Sequence, residues 1–152
     1  MRYRLPLVSR TLLILKPDAV ERGLVGEVTA RIERKGLRLV AAELRVIDEG
    51  VARRHYAEHE GKPFYEELVK FITRSPALVA VLEGPDGTWQ VLRTLMGETN
   101  PAQASPGTIR GDLAISLTEN LVHGSDSEES AGREISLFFP HLAAEQSERH
   151  SR

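Results

Sequence analysis

The chain has no cysteine among its 152 residues. That excludes disulfides, thiolate nucleophiles and cysteine-based zinc sites, and gives no sign of an oxidising compartment. Aromatic residues are sparse at 5%, and the formal net charge is only -2. With no basic stripe visible, the composition points away from a nucleic-acid partner and from an anionic membrane surface. Long apolar runs are missing too. Near the N-terminus the longest is Leu12 to Leu15, ended by Lys16, which is too short for a signal-peptide core or a membrane span. A cytoplasmic location is the expectation. Glycine-rich phosphate loops are also lacking. Gly61-Lys62 looks like the end of a P-loop, but no glycine opens such a loop, and Pro63 follows where a magnesium-binding hydroxyl belongs. No Gly-x-Gly-x-x-Gly fingerprint occurs either. Any nucleotide phosphate must be held by side chains.

What is present is ordinary for a folded protein: 41% apolar and 28% charged residues, enough to bury one core without staples. We expect one domain over residues 11–140. Residues 1–10 form an N-terminal extension on this reading, and 141–152 a polar tail without apolar period. Thr11 to Lys16 reads as a buried strand closed by Pro17-Asp18. Val25, Val28 and Ile32 share one face of a helix that Gly36 ends. Leu37 to Val46 reads as a strand, Glu49 to His59 as a helix, and Phe64 to Thr73 as another. Leu78 to Leu82 is a strand, and Trp89, Leu92 and Met96 mark a helix. Gly97 to Gly107 reads as an irregular loop, Leu121-Val122 as a short strand, and Ser127 to Phe139 as the last helix. That order fits an α/β sandwich of the ferredoxin-like βαββαβ kind, an antiparallel sheet with helices packed on it.

His123 ends the short strand, and Gly124 after it permits close backbone approach. A lone histidine reads more readily as a strand-end residue satisfied by hydrogen bonds. Glu134 shifts that balance. At about 100° per residue it falls between Ala131 and Phe138 on the apolar face of the last helix, where a carboxylate needs a partner. It can reach His123 or Ser125, giving a base oriented by a carboxylate. The alternative is an ordinary helix-surface glutamate, or an internal salt bridge with Arg133 or another arginine. Lys16 at a strand end, Arg93 on the Trp89/Met96 stripe and Arg110 after the long loop are unusual places for cations. Each has a bland reading, such as a snorkelling lysine or an Arg110–Asp112 pair. Together with a nucleophile they suit a polyphosphate.

These residues carry a resemblance. Asn120-x-x-His123-Gly124-Ser125-Asp126 is highly specific to the nucleoside diphosphate kinase family. Lys16-Pro17-Asp18, His55 to His59, Lys62-Pro63-Phe64, Thr99-Asn100-Pro101 and Pro106 to Asp112 support it in the same order. From Thr11 to Phe139 the chain resembles that family, in its bacterial form. The resemblance implies transfer of a γ-phosphoryl group from a nucleoside triphosphate to a nucleoside diphosphate, through a phosphohistidine on Nδ1 of His123. It implies that Glu134 orients His123, with Ser125 nearby. Lys16, Tyr56, Arg93, Thr99 and Arg110 would hold phosphates, and Asn120 and Lys16 the ribose hydroxyls. Phe64 would stack on the base, with Leu68 beside it and Leu117 on the far side. Base stacking reads no base edge, so broad base specificity is expected. The implied Mg2+ rides on the phosphates without direct protein ligation. The implied assembly is a homo-oligomer, a hexamer or tetramer of a common dimer. Glu98, Leu113 and Leu121 depart from the family pattern, and Glu98 is the only hint of a binding module without turnover.

Overall fold

The computed structural model describes residues 8–142. The strands are β1 (Val8–Leu15), β2 (Arg38–Arg45), β3 (Ala77–Pro85) and β4 (Val122–Gly124), in the spatial order β2-β3-β1-β4. Every pairing is antiparallel. The helices are α1 (Pro17–Glu21), α2 (Val25–Lys35), α3 (Glu49–His55), α4 (Tyr65–Thr73), α5 (Thr88–Met96), α6 (Ile109–Leu113) and α7 (Glu128–Phe138), with a 3-10 turn at Ala57–His59. The βαββαβ frame is thus the ferredoxin-like sandwich expected from the element order, with extra helices between β2 and β3.

The centre of the sheet is buried on both faces. That explains why β1 is a continuous aliphatic run and not an alternating one. Successive side chains point to opposite faces. Leu12 and Ile14 join Ala52 of α3, Val69 and Ile72 of α4, and Ile135 and Phe138 of α7. Leu13 and Leu15 join Val28 and Ile32 of α2 and Leu92 and Met96 of α5. The site described below lies on the first of these faces. Among the described residues no helix is long and apolar enough to cross a membrane.

Several boundaries differ from the sequence reading, each for a local reason. β1 starts at Val8, three residues before Thr11, because Ser9 and Arg10 pair with Gly84 and Glu83. Arg10 also binds Glu83 at 2.9 Å. Pro17-Asp18 ends the strand as expected but also opens α1. Proline is tolerated there because the first helical N–H has no intrahelical partner to lose. α3 stops at His55, and the chain tightens into the 3-10 turn before His59. α6 lies just after the long loop and starts on the Thr108 cap, whose hydroxyl accepts from Gly111 N. The expected tail falls outside the described residues from position 143 onward.

Candidate active site

β4 sets the direction of His123. Its Cα partner on β1 is Ile14, so the imidazole stands on the same face as Ile14, toward α3 and α7. The strand lies close to α5 because Gly124 has no side chain. A Cβ there would meet Met96 Sδ at 2.7 Å. That is the close approach the glycine suggested.

α7 delivers the carboxylate. Ser127 caps the helix by accepting from Ser130 N, and two glutamates fill its first turn, where the helix dipole favours them. This start fixes the phase that buries Ala131, Glu134, Ile135 and Phe138. Glu134 is only 4% exposed. Its Oε1 lies 2.9 Å from His123 Nε2 and accepts the Ser125 hydroxyl at 2.7 Å. Ser125 Oγ in turn accepts from Leu12 N at 3.3 Å, which ties it to β1. Burial pushes the Glu134 carboxyl up, but the hydrogen bonds and charge of His123 and the Ser125 hydroxyl outweigh this and hold it below the usual carboxylate range. The Arg133 alternative is weak, at 3.8 Å from the other oxygen. With Nε2 turned to Glu134, Nδ1 is the imidazole nitrogen left without a hydrogen bond among the described residues.

His123, Tyr56, Arg93, Asp126 and Glu134 line a cavity of about 200 Å3. A larger cavity of about 620 Å3 lies beyond Arg93, against Trp89, Glu98, Thr99 and Thr108. It offers only hydroxyls, from Thr94, Thr99, Ser105 and Thr108, whereas the carboxylate-paired imidazole lines the smaller one. Burial, and then the nearby Glu134 charge, push the Tyr56 phenol up to about 12. It remains a hydroxyl donor at neutral pH.

The cations converge on the same end of the sheet. Lys16 Nζ donates to Asn120 Oδ1 at 2.9 Å, and Asn120 Nδ2 donates to Thr99 O at 3.1 Å. Arg93 donates to Gly124 O at 3.1 Å. Arg110 donates to the carbonyls of Asn120, Gly97 and Val122. It does not pair with Asp112, which binds Arg31 at 2.7 Å. Burial, and then the Arg110 charge, lower Lys16 to about 8, partly offset by Asp18. Burial and Arg93 lower Arg110 to about 10. Among the described residues none of these three cations has an ion-pair partner. They are crowded and unpaired, and burial desolvates Lys16 and Arg110, which is an arrangement complementary to a multiply charged anion.

Phe64 is not a core residue. It is 44% exposed at the start of α4. With Leu68 it faces Ser116 and Thr118 across a groove of about 320 Å3. Leu117, between those two, is 59% exposed.

His55 is a residue whose part the sequence did not reveal. Its ring meets His123 edge-on at 4.7 Å and Phe138 at 5.4 Å. The signal was available: His55 lies three residues after Ala52, on the buried side of α3. Burial, and then the His123 charge, lower it to about 3. An unfolded chain takes up this proton near 6.5, whereas the folded chain resists until about 3. Stability should therefore fall as pH drops through that window, by on the order of 3–5 kcal/mol from this group. Urea unfolding at pH 7 and pH 4.5, a span that covers about 2–3 kcal/mol of that loss, checks this. The loss should be clearly smaller in His55→Leu.

The family model described as nucleoside diphosphate kinase matches residues 9–144. The chain belongs to the nucleoside diphosphate kinase family. It is a phosphotransferase of that family. It is 59% identical over 132 residues to the nucleoside diphosphate kinase of Thermomicrobium roseum, covering 87% of this chain and 88% of the relative. To that of Corynebacterium diphtheriae it is 57% identical over 137 residues, covering 90% of this chain and all (100%) of the relative. The solved structure of the Halobacterium salinarum nucleoside diphosphate kinase in complex with CDP matches with a TM-score of 0.84 at 48% identity, over 88% of each chain.

Proposed function

We propose that the chain moves the γ-phosphoryl group of a nucleoside triphosphate to a nucleoside diphosphate in two half-reactions, with His123 as the carrier. The observation that carries this reading is the Nε2–Glu134 contact of 2.9 Å, which leaves the Nδ1 lone pair unengaged on a histidine that lines the same cavity as Arg93. In the first half-reaction Nδ1 attacks the γ-phosphorus and the bond to the β,γ-bridging oxygen breaks. The diphosphate leaves with that electron pair. In the second, the terminal oxygen of another diphosphate attacks the phosphohistidine and the P–N bond breaks. The imidazole gains positive charge when phosphorylated, and the Glu134 carboxylate stabilises that charge.

The remaining residues position charge, which is most of what phosphoryl transfer asks of a protein. Lys16, Arg93, Arg110, Tyr56 and Thr99 take the phosphates. Asn120 and Lys16 take the ribose hydroxyls. Phe64 stacks on the base, with Leu68 and Leu117 around it. The family's divalent cation is read here as Mg2+ carried on the nucleotide's phosphates. His55, His123 and Glu134 each offer a ligand atom within 4.8 Å of the others, but two imidazoles and a committed carboxylate do not suit a hard cation that wants oxygen ligands. A cytoplasmic homo-oligomer, hexamer or tetramer, completes the reading.

ATP labelled on its γ-phosphate should leave an acid-labile label on the protein, and GDP should remove it as GTP. Nucleotide binding without any label would favour a binding module instead. The pH dependence gives an independent check. Lys16 is charged below about 8 and neutral above it. The kcat/KM for phosphoenzyme formation reports the free enzyme. It should fall as pH rises through that value, by about tenfold per unit if the neutral form is inactive. Lys16→Gln should be slow throughout and show no such fall.

A further inference from the structure

Among the described residues Leu121 is the one non-glycine with positive φ, at 75°. It is a fully buried leucine (0% exposed) two positions before His123. Val122 N donates to Asn120 O at 2.9 Å, so Asn120, Leu121 and Val122 form a γ-turn of the positive-φ kind, which is rare and strained. Such strain persists only where the surroundings over-determine it.

Four hydrogen bonds do so here. Leu121 N donates to Asp18 Oδ2 at 3.0 Å. Lys16 N donates to Leu121 O at 2.8 Å. Arg110 Nε and Nη2 donate to Asn120 O at 3.2 Å and Val122 O at 2.7 Å. The turn fixes two directions together. It turns the Asn120 carboxamide toward Lys16 and Thr99. It also sends the chain into β4 in the register that pairs His123 with Ile14. Asp18 also stands in the first turn of α1, and its charge partly offsets the lowering of Lys16. It is 2% exposed, and its Oδ1 is buried without a hydrogen-bond partner. A carboxylate kept at that desolvation cost has its one cross-chain bond at the Leu121 amide.

We infer that Asp18 is a positioning residue for phosphoryl transfer: its carboxylate clamps Leu121 in the left-handed turn and so sets His123 and Asn120 toward one nucleotide. The inference rests on the reading of His123 as the phosphoryl carrier.

The test is single-turnover phosphorylation by saturating labelled ATP. It compares the parent, Asp18→Ala, Asp18→Asn, Leu121→Gly and the Asp18→Ala/Leu121→Gly double variant. Asp18→Ala should slow labelling about tenfold or more at saturation. Asp18→Asn still offers an oxygen to the amide and should stay within about threefold of the parent. Glycine adopts positive φ without strain, so in the Leu121→Gly background the loss of Asp18 should cost less than about threefold. Parent-rate labelling of Asp18→Ala overturns the clamp. So does an equal loss in both backgrounds, or an Asp18→Asn variant as slow as Asp18→Ala. If Asp18→Ala does not fold, a folded double variant whose His123 takes label supports the clamp, and a double variant that also fails to fold overturns it. An unlabelled parent would sink the reading of His123 itself. A labelled parent with an indifferent Asp18→Ala sinks only this inference.

Discussion

Replacing His123 with alanine should abolish the phosphoenzyme and lower ATP-to-GDP transfer by about 10^4-fold or more. The size follows from the role. If Nδ1 is the atom that bonds to phosphorus, its removal leaves no covalent route, and only positioning remains. The cost to the fold should be small. The imidazole is 23% exposed and borders an open cavity, so its loss widens that cavity, and the Glu134 carboxylate loses one partner but keeps the Ser125 hydroxyl. Lys16, Arg93, Arg110 and Phe64 keep their places in the alanine variant. Nucleotide should therefore still bind, within a few-fold of the parent. Steady-state transfer and equilibrium binding measured side by side separate the two effects. Transfer at the parent rate would show that the carrier lies elsewhere.

The second large effect belongs to Glu134. Glu134→Ala should slow the labelling of His123 by about 10^2-fold or more; changing the carboxylate behind a triad histidine costs about 10^4. Three contributions disappear together. The Nε2 contact that leaves Nδ1 as the nucleophile is lost. The charge that stabilises the phosphorylated imidazolium is lost. The Ser125 hydroxyl, which is fully buried at 0% exposure, no longer has its acceptor. Glu134→Gln keeps an acceptor oxygen but not the charge, and should fall between the parent and the alanine variant. The loss should appear in kcat more than in the affinity for nucleotide, because Glu134 is engaged by the imidazole and the Ser125 hydroxyl and bonds none of the cations proposed to take the phosphates. An equal loss in affinity would assign Glu134 to substrate binding.

How much of this was legible beforehand depends on whether the interaction is local. Glu134 could be placed by helical phase alone, because Ser127 fixes where α7 starts and one face then follows. The doubly buried β1 was legible as an unbroken aliphatic run. The approach of β4 to α5 was legible in Gly124. Phe64 was ambiguous: its spacing to Leu68 and Phe71 fits a core stripe, and only the fold shows it at the exposed start of α4. Arg110 was placed correctly near the long loop, yet its grip on three backbone carbonyls has no sequence signature. Carbonyls are offered by every residue. The Leu121 turn was hidden for a stronger reason. Leucine has no preference for positive φ, and the Asp18 carboxylate that binds its amide is 103 positions away in the chain. Only the sheet, by placing β4 against β1, brings the two together.

On the proposed mechanism everything turns on Nδ1 of His123 as the carrier of the phosphoryl group. NMR of the protein phosphorylated by ATP and kept at alkaline pH addresses it most directly, because phosphorus and nitrogen shifts distinguish the two imidazole positions. One phosphohistidine is expected, at His123, with phosphorus on Nδ1 and the signal discharged by GDP. Phosphorus on Nε2, or on another residue while turnover continues, would contradict it.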